Sequence, residues 1–339
     1  MQDTGEEPDC NIYLARMTST SPAIIVLYRA FVNRQPISYF WSPLIQHGRV
    51  AIVTGSGRGL GREYALLLGR LGAAVVVNST TPATAEATAK DIIEAGGKAI
   101  AHVGNVADRE LANALVKTAV DKFGRIDIVI NNAGGANGSD FDRISDSQLW
   151  DMLRVHLGGS WNVTQAAWPY MKSQKFGRVV LITSPIMFGS AQQSTYGAAK
   201  LGLLGLAKSL AIEGKEHNIF VNTVAPMGFT PGSAASVPDE QTQNFMKEHM
   251  PARDVAPTVA WLVHEDSKVN GEAVAAVSRL VTRIFLAETK GFFGSADKDW
   301  TIETVRNNWD KVVDEKDYSV HTDIAEFGPK IFQRLATGQ

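Results

Sequence analysis

The chain has 339 residues, a formal net charge of −2 and 45% apolar residues, which allows one large α/β domain or two small ones with a substantial core. Its 33 basic and 35 acidic side chains are spread rather than blocked, so neither nucleic acid nor an anionic membrane is the expected partner. Cys10 is the single cysteine, which excludes an intrachain disulfide framework and a cysteine-built zinc site and fits a reducing compartment.

Residues 1–48 stand apart. No acid occurs from Met17 to Arg49, while Arg29, Arg34 and several hydroxyl residues do. That composition suits an organellar transit segment, or a non-native extension with Met17 as an internal start. No apolar run there approaches the roughly 18 residues of a membrane span.

From Arg49 onward, short β-branched runs alternate with helix-length stretches. Strands are predicted at Val50–Thr54, Ala74–Asn78, Ala99–Val103, Ile126–Ile130, Arg178–Thr183 and Ile219–Val224. Helices are predicted at Leu60–Leu71, Ala83–Glu94, Arg109–Phe123, Ser147–Met171 and Tyr196–Glu213. Asp254–His264 reads as a helix, Glu272–Val277 as a last strand and Thr301–Val313 as an amphipathic helix, with the final 25 residues on the surface. This alternation predicts right-handed βαβ units in a Rossmann-type doubly wound parallel sheet, a three-layer αβα domain over 49–278. A helical C-terminal extension is expected over 279–339.

The first strand runs into Gly55-Ser-Gly-Arg-Gly-Leu-Gly61 and then a helix. Gly55, Gly59 and Gly61 permit a tight turn and let the backbone approach a pyrophosphate at the helix N-terminus, beside Leu60. The second strand ends in Asn78-Ser79-Thr80 without the carboxylate that holds an adenosine 2′-hydroxyl in NAD sites. With Arg58 in the loop, the balance leans toward NADP over NAD. Tyr196 and Lys200 stand four residues apart on one helix face, where a cation is expected to lower the phenol's pKa. Ser184, at a strand end, is placed to donate to a substrate oxygen.

Together, Thr54-Gly-x-x-x-Gly59-x-Gly61, Asn131-Asn-Ala-Gly134, Ser184 and Tyr196-x-x-x-Lys200 resemble the short-chain dehydrogenase/reductase family over about residues 49–265. The resemblance implies that Tyr196 exchanges the proton, Lys200 binds the nicotinamide ribose and tunes the tyrosine, and Ser184 orients the carbonyl. It implies cofactor contacts from Asn78, Asn132, Ala133 and Gly134, from Asn105 and Val106 at the adenine, and from Pro226 after the sixth strand. His156 stands where the family usually has Asn, and a proton-relay role is expected of it. Ser184 lies one residue nearer the tyrosine than is typical, which leaves Thr183 as the alternative donor.

The stretch Val155-His-Leu, Thr164-Gln-Ala-Ala-Trp168, Tyr196 to Gly205 and Trp261-Leu-Val-His-Glu265 is similar to the dehydrogenase unit of peroxisomal multifunctional enzymes of type 2. That likeness implies a 3-hydroxyacyl-CoA dehydrogenase. Natural-product ketoreduction and, more remotely, a non-catalytic dinucleotide sensor stand as alternatives. A small carbonyl or alcohol substrate (an acyl-CoA among the candidates), a homodimer or homotetramer, no metal, and a cytosolic place are the remaining expectations. Peroxisome and mitochondrion stay open.

Overall fold

In β1 (Val50–Val53) every side chain is buried, and successive residues serve opposite faces of the sheet. Ala51 and Val53 join one apolar cluster, whereas Val50 and Ile52 join the other. This is the period-2 pattern of a strand covered on both sides. The structure, a computed structural model, describes residues 48–337 except 236, 238 and 296. The expectations for the transit-type segment, Met17 and Cys10 lie outside the described residues.

In chain order, α1 (Gly59–Arg70), β2 (Ala74–Ser79), α2 (Pro82–Glu94), β3 (Lys98–Val103), α3 (Arg109–Phe123) and β4 (Ile128–Asn131) build the first half. Next come α4 (Asp146–Leu153), α5 (Gly159–Gln174), β5 (Gly177–Ile182), α6 (Ser194–Gly214) and β6 (Ile219–Met227). They are followed by α7 (Pro231–Ala235), α8 (Glu240–His249), α9 (Ala256–Leu262), β7 (Ala273–Val277) and β8 (Leu280–Ile284). The strands lie in the order β3-β2-β1-β4-β5-β6-β7-β8, parallel through β7 and antiparallel at β8. The order reverses between β1 and β4, and such a switch opens a crevice at the carboxyl ends of the strands.

Helices α1, α2 and α9 cover one sheet face through Tyr64, Leu68, Ile92 and Val259. Helices α3, α5 and α6 cover the other through Leu115, Val163, Met171 and Leu203. The doubly wound three-layer fold is as expected. At the amino edge, Arg178 of β5 is buried, with its guanidinium between the rings of Phe176 and Phe220 at 4.3 and 4.2 Å. Carbonyls of Gly177 and Asn218 accept from it, which offsets much of the cost of burying that charge.

Several boundaries differ from expectation. The helix predicted over Ser147–Met171 is two helices joined by a π turn at Arg154–Gly158. Thr301–Val313 divides at Asn308 into α10 (Ile302–Asn307) and α11 (Trp309–Val312). Strand β8 carries the sheet to Ile284, past residue 278, by pairing Val277 with Leu280 in a two-residue hairpin. The tail also holds a small sheet of β9 (Glu288–Thr289) and β10 (Tyr318–Ser319), clipped by a 2.9 Å contact between His321 and Glu288. It ends in α12 (Ile324–Thr337), which buries none of its described residues.

Candidate active site

Three side chains meet beyond the carboxyl end of β5. Ser184 stands two residues past the end of that strand, after Thr183, and Tyr196 and Lys200 lie one turn apart on α6. The Ser184 hydroxyl lies beside the half-buried Tyr196 phenol, whose pKa it pulls downward, and its oxygen accepts from the Ile186 amide at 3.3 Å. The Lys200 ammonium lies 5.4 Å from the phenol ring centre and donates to the Ile182 carbonyl at 2.7 Å. Burial pushes Lys200 down to about 7, because little solvent remains to stabilise its charge.

The expected depression of the Tyr196 pKa is not found. Burial raises the phenol, and the neighbouring Ser184 hydroxyl only partly opposes it. The physical reason is that Lys200 points its ammonium at a backbone carbonyl rather than at the phenol oxygen. Thr183 is not the alternative donor, since its hydroxyl is buried and given to the Lys200 carbonyl at 2.7 Å. It ties β5 to α6, while Ser184 faces the phenol.

His156 reaches the same cluster through the π turn. In that turn the Gly159 amide bonds back to the Arg154 carbonyl, and the Ser160 hydroxyl donates to the His156 carbonyl at 2.7 Å. Such bulges displace one residue of a helix and recur at functional sites. Here the displaced ring is 3% exposed, and its Nε2 lies 2.7 Å from the Gly135 carbonyl. That contact fixes Nε2 as the protonated nitrogen and leaves Nδ1 an acceptor, buried and without a protein partner. Burial and then the Lys200 charge hold His156 at about 4, so the ring is neutral at physiological pH.

The glycine loop is set by close backbone approach. A Cβ on Gly61 would stand 2.6 Å from the Gly55 carbonyl oxygen and against the Asn132 amide, and one on Gly55 would stand 2.8 Å from Ala133 Cα. Thr54 receives the amides of Asn132 and Ala133 on its hydroxyl, both at 2.9 Å, locking β1 to β4 at the crevice. The Asn132 amide itself donates to the Thr54 carbonyl. Gly134 is exposed and backs onto the His156 ring.

A family model described as short chain dehydrogenase matches residues 49–242. The chain belongs to the short-chain dehydrogenase family. The peroxisomal multifunctional enzyme type 2 of Mus musculus is 40% identical over 80% of this chain, which spans 38% of that protein. A short-chain type dehydrogenase/reductase of Mycobacterium tuberculosis is 38% identical over 78% of the chain and 94% of its own length. Among solved structures, full-length multifunctional enzyme type 2 from Drosophila melanogaster superposes with a TM-score of 0.74 at 33% identity. That match covers 86% of this chain and 50% of the other. The chain is therefore an oxidoreductase acting on CH–OH groups, and its family binds a nicotinamide dinucleotide.

The residues present fit that cofactor. The first turn of α1 carries no acid, and Arg58 at its N-cap makes no capping bond, so the helix amides stay available to a pyrophosphate. Across the loop, a Cβ on Gly59 would lie 3.5 Å from Thr230 after β6, so Thr230 borders the same crevice. No motif pattern had singled out Thr230. Pro226, half-buried, pairs with Ala276 inside the sheet.

At the adenosine end two expectations change. Asn78 is buried, with Oδ1 accepting from the Gly55 amide and Nδ2 donating to the His102 and Gly104 carbonyls. It braces the loop from within, and the outward group is its neighbour Ser79, whose hydroxyl lies 3.0 Å from that of Thr84. Val106 turns its side chain into the core, beside Gly159, and its carbonyl accepts from the Asn162 side chain at 3.1 Å. Asn105 is exposed, with Oδ1 accepting from the Ala107 amide at 3.0 Å. Arg58 is exposed and Leu60 partly buried. A cavity of about 580 Å³ lined by Trp261, Asp266, Lys268 and Glu272 lies at the amino end of β7, the opposite edge of the sheet from Tyr196.

Proposed function

We propose that the chain reduces a 3-oxoacyl thioester, or oxidises the matching 3-hydroxyacyl thioester, with NADP as the preferred dinucleotide. The observation that carries this reading is the convergence of Ser184, Tyr196, Lys200 and His156 beyond β5, next to a glycine loop built for close backbone approach. When bound, the nicotinamide supplies or accepts the hydride.

Ser184 donates to the carbonyl oxygen as negative charge grows there. Tyr196, its pKa raised by burial, stays protonated near neutrality and delivers the phenol proton to that oxygen. The carbonyl carbon gains the hydride, the oxygen gains the proton, and the product is the secondary alcohol. Lys200, close to its titration point near neutral pH, restores a proton to the site. His156 Nδ1 offers an acceptor to a water on that route.

NADP is favoured because Ser79 stands where an acid would repel a 2′-phosphate, with Thr84 beside it and Arg58 exposed in the loop. The exposed Trp161 and Tyr170 of α5 and Leu201 and Ile212 of α6 support a homodimer or homotetramer. No described helix is long and apolar enough to cross a membrane. Cytosol is the proposed place.

The test is NADPH and NADH consumption with acetoacetyl-CoA and a panel of bulky ketones, for wild type and Tyr196→Phe. Thioester turnover lost in the variant supports the reading. Turnover of polycyclic ketones alone moves the substrate to natural-product chemistry, and activity indifferent to the variant sinks the tyrosine's role.

A further inference from the structure

The segments leaving the carboxyl ends of β4, β5 and β6 share one property. Residues 132–139, 184–199 and 226–235 contain no Asp, Glu, Lys, Arg or His. The two charged groups that directly border them, Asp140 and Lys200, are already engaged. Asp140 accepts from Gln192 at 2.9 Å, and Lys200 is buried on the Ile182 carbonyl. His156 is neutral and committed to Gly135.

Apolar groups take the place of charge around the crevice. Phe141, Phe188 and Met227, from or just after these three segments, are 83, 70 and 40% exposed. The Ser184–Tyr196 segment also lines a cavity of about 220 Å³ with Ile186, Met187, Gly197, Ala198 and Leu201, and that lining too is uncharged. Ser139 and Gln192 join the β4 and β5 segments through a 2.9 Å backbone hydrogen bond, so both walls belong to one surface.

A carboxylate held beside the reacting carbon would lose its hydration without gaining a cation or an array of donors. Desolvating an unpaired carboxylate costs several kcal/mol, and enzymes that accept oxo acids meet this cost with a paired arginine or lysine. A thioester, ester or ketone flanked by apolar groups bears no such cost and buries its flanks against the phenylalanines.

We infer that the substrate is uncharged on both sides of the reacting carbon, so that the site selects neutral, apolar-flanked carbonyl compounds and rejects the corresponding free oxo acids. The inference rests on the oxidoreductase reading above. Any anionic part of the natural substrate lies beyond these three segments.

The experiment is calorimetric titration of the protein saturated with whichever oxidised dinucleotide it binds more tightly. The ligands are ethyl 3-oxohexanoate and 3-oxohexanoate. The oxidised cofactor cannot reduce a ketone, so binding is read apart from turnover. The ester is expected to bind at least tenfold more tightly than the acid. Phe188→Arg, at an exposed position, is expected to close that gap at least tenfold by tightening the acid.

An acid binding within threefold of the ester, or neither ligand binding, overturns the inference. If the ester binds tightly but is not reduced with NADPH or NADH, the selectivity stands and the hydride-transfer reading falls.

Discussion

The imidazole of His156 meets the phenol ring of Tyr196 edge-on, with centroids 5.2 Å apart and planes at 75°. The contact joins the π turn to the catalytic face of α6, and His156 holds the Gly135 carbonyl from its other edge. A neutral ring suits this place, between a buried ammonium and an aromatic edge. Protonation would set a second cation against Lys200.

That relationship predicts a pH dependence of stability. The His156 pKa falls from 6.5 in the unfolded chain to about 4 in the folded one, so between these values the unfolded chain binds the proton first. The contribution is complete above pH 6.5 and is lost as pH falls toward 4, amounting to about 3 kcal/mol. Melting temperature between pH 4 and 7 should fall more steeply in wild type than in His156→Asn. Parallel curves would show that this ring does not carry the dependence.

Ser184 and Thr183 are adjacent hydroxyls with opposite assignments, and mutation separates them. Ser184→Ala should lower kcat by about 10²-fold or more, since a donor to the developing oxyanion is lost, and should cost about 1 kcal/mol of stability or less by freeing the Ile186 amide it caps. Thr183→Val should cost about 1 kcal/mol of stability by releasing the Lys200 carbonyl, and should retain most activity. Equal kcat losses in the two variants would remove the distinction.

The distinction also marks how far the sequence could be read. Burial on both faces made β1, β2, β5 and β6 visible, and their order with the intervening helices implied the doubly wound sheet. The glycine loop and the Tyr196–Lys200 spacing were legible because local backbone geometry and helix periodicity govern them. Asn78 was misread because its partners, His102 and Gly104, come from and just after β3, and its neighbour Ser79 carries the outward hydroxyl. The π turn escaped because the apolar periodicity runs through it unbroken; the Gly158-Gly159 pair, which weakens a helix, and the Ser160 hydroxyl under the His156 carbonyl are its local marks. Strand β8 and Thr230 were missed for a similar reason, since pairing and proximity across the crevice leave no local periodicity.

Cofactor choice gives a direct test of the adenosine end. Ser79→Asp should shift the ratio of kcat/KM for NADPH over NADH toward NADH by at least tenfold, through repulsion of the 2′-phosphate and a new acceptor for a 2′-hydroxyl. Arg58→Gln should weaken NADPH by about tenfold with little effect on NADH, a loss of about 1.4 kcal/mol. Fluorescence titration with each dinucleotide separates binding from turnover. A wild-type preference for NADH would overturn the assignment of Ser79 and Arg58 to a phosphate.

The glycine loop yields the last prediction. Gly61 lies in the first turn of α1, where an ordinary helical residue is favoured by propensity, so Gly61→Ala should be stabilising if local preference governed the position. Packing argues the reverse. The added methyl carbon would stand 2.6 Å from the Gly55 carbonyl oxygen, which is backbone, and press on the Asn132 side-chain amide, which the Thr54 and Gly55 carbonyls hold in place. The loop must move, which costs about 1–3 kcal/mol in overpacked sites, and that movement carries Gly55 away from the pyrophosphate approach. Gly61→Ala should therefore lower melting temperature and weaken dinucleotide binding together. Gly96→Ala serves as the control for a glycine whose added methyl would meet nothing within 4 Å, although its φ of +87° makes some loss of stability expected there too. Dinucleotide affinity should survive in that control and fall at least tenfold in Gly61→Ala, and an unchanged affinity in both would show that the close approach at Gly61 does not shape the cofactor site.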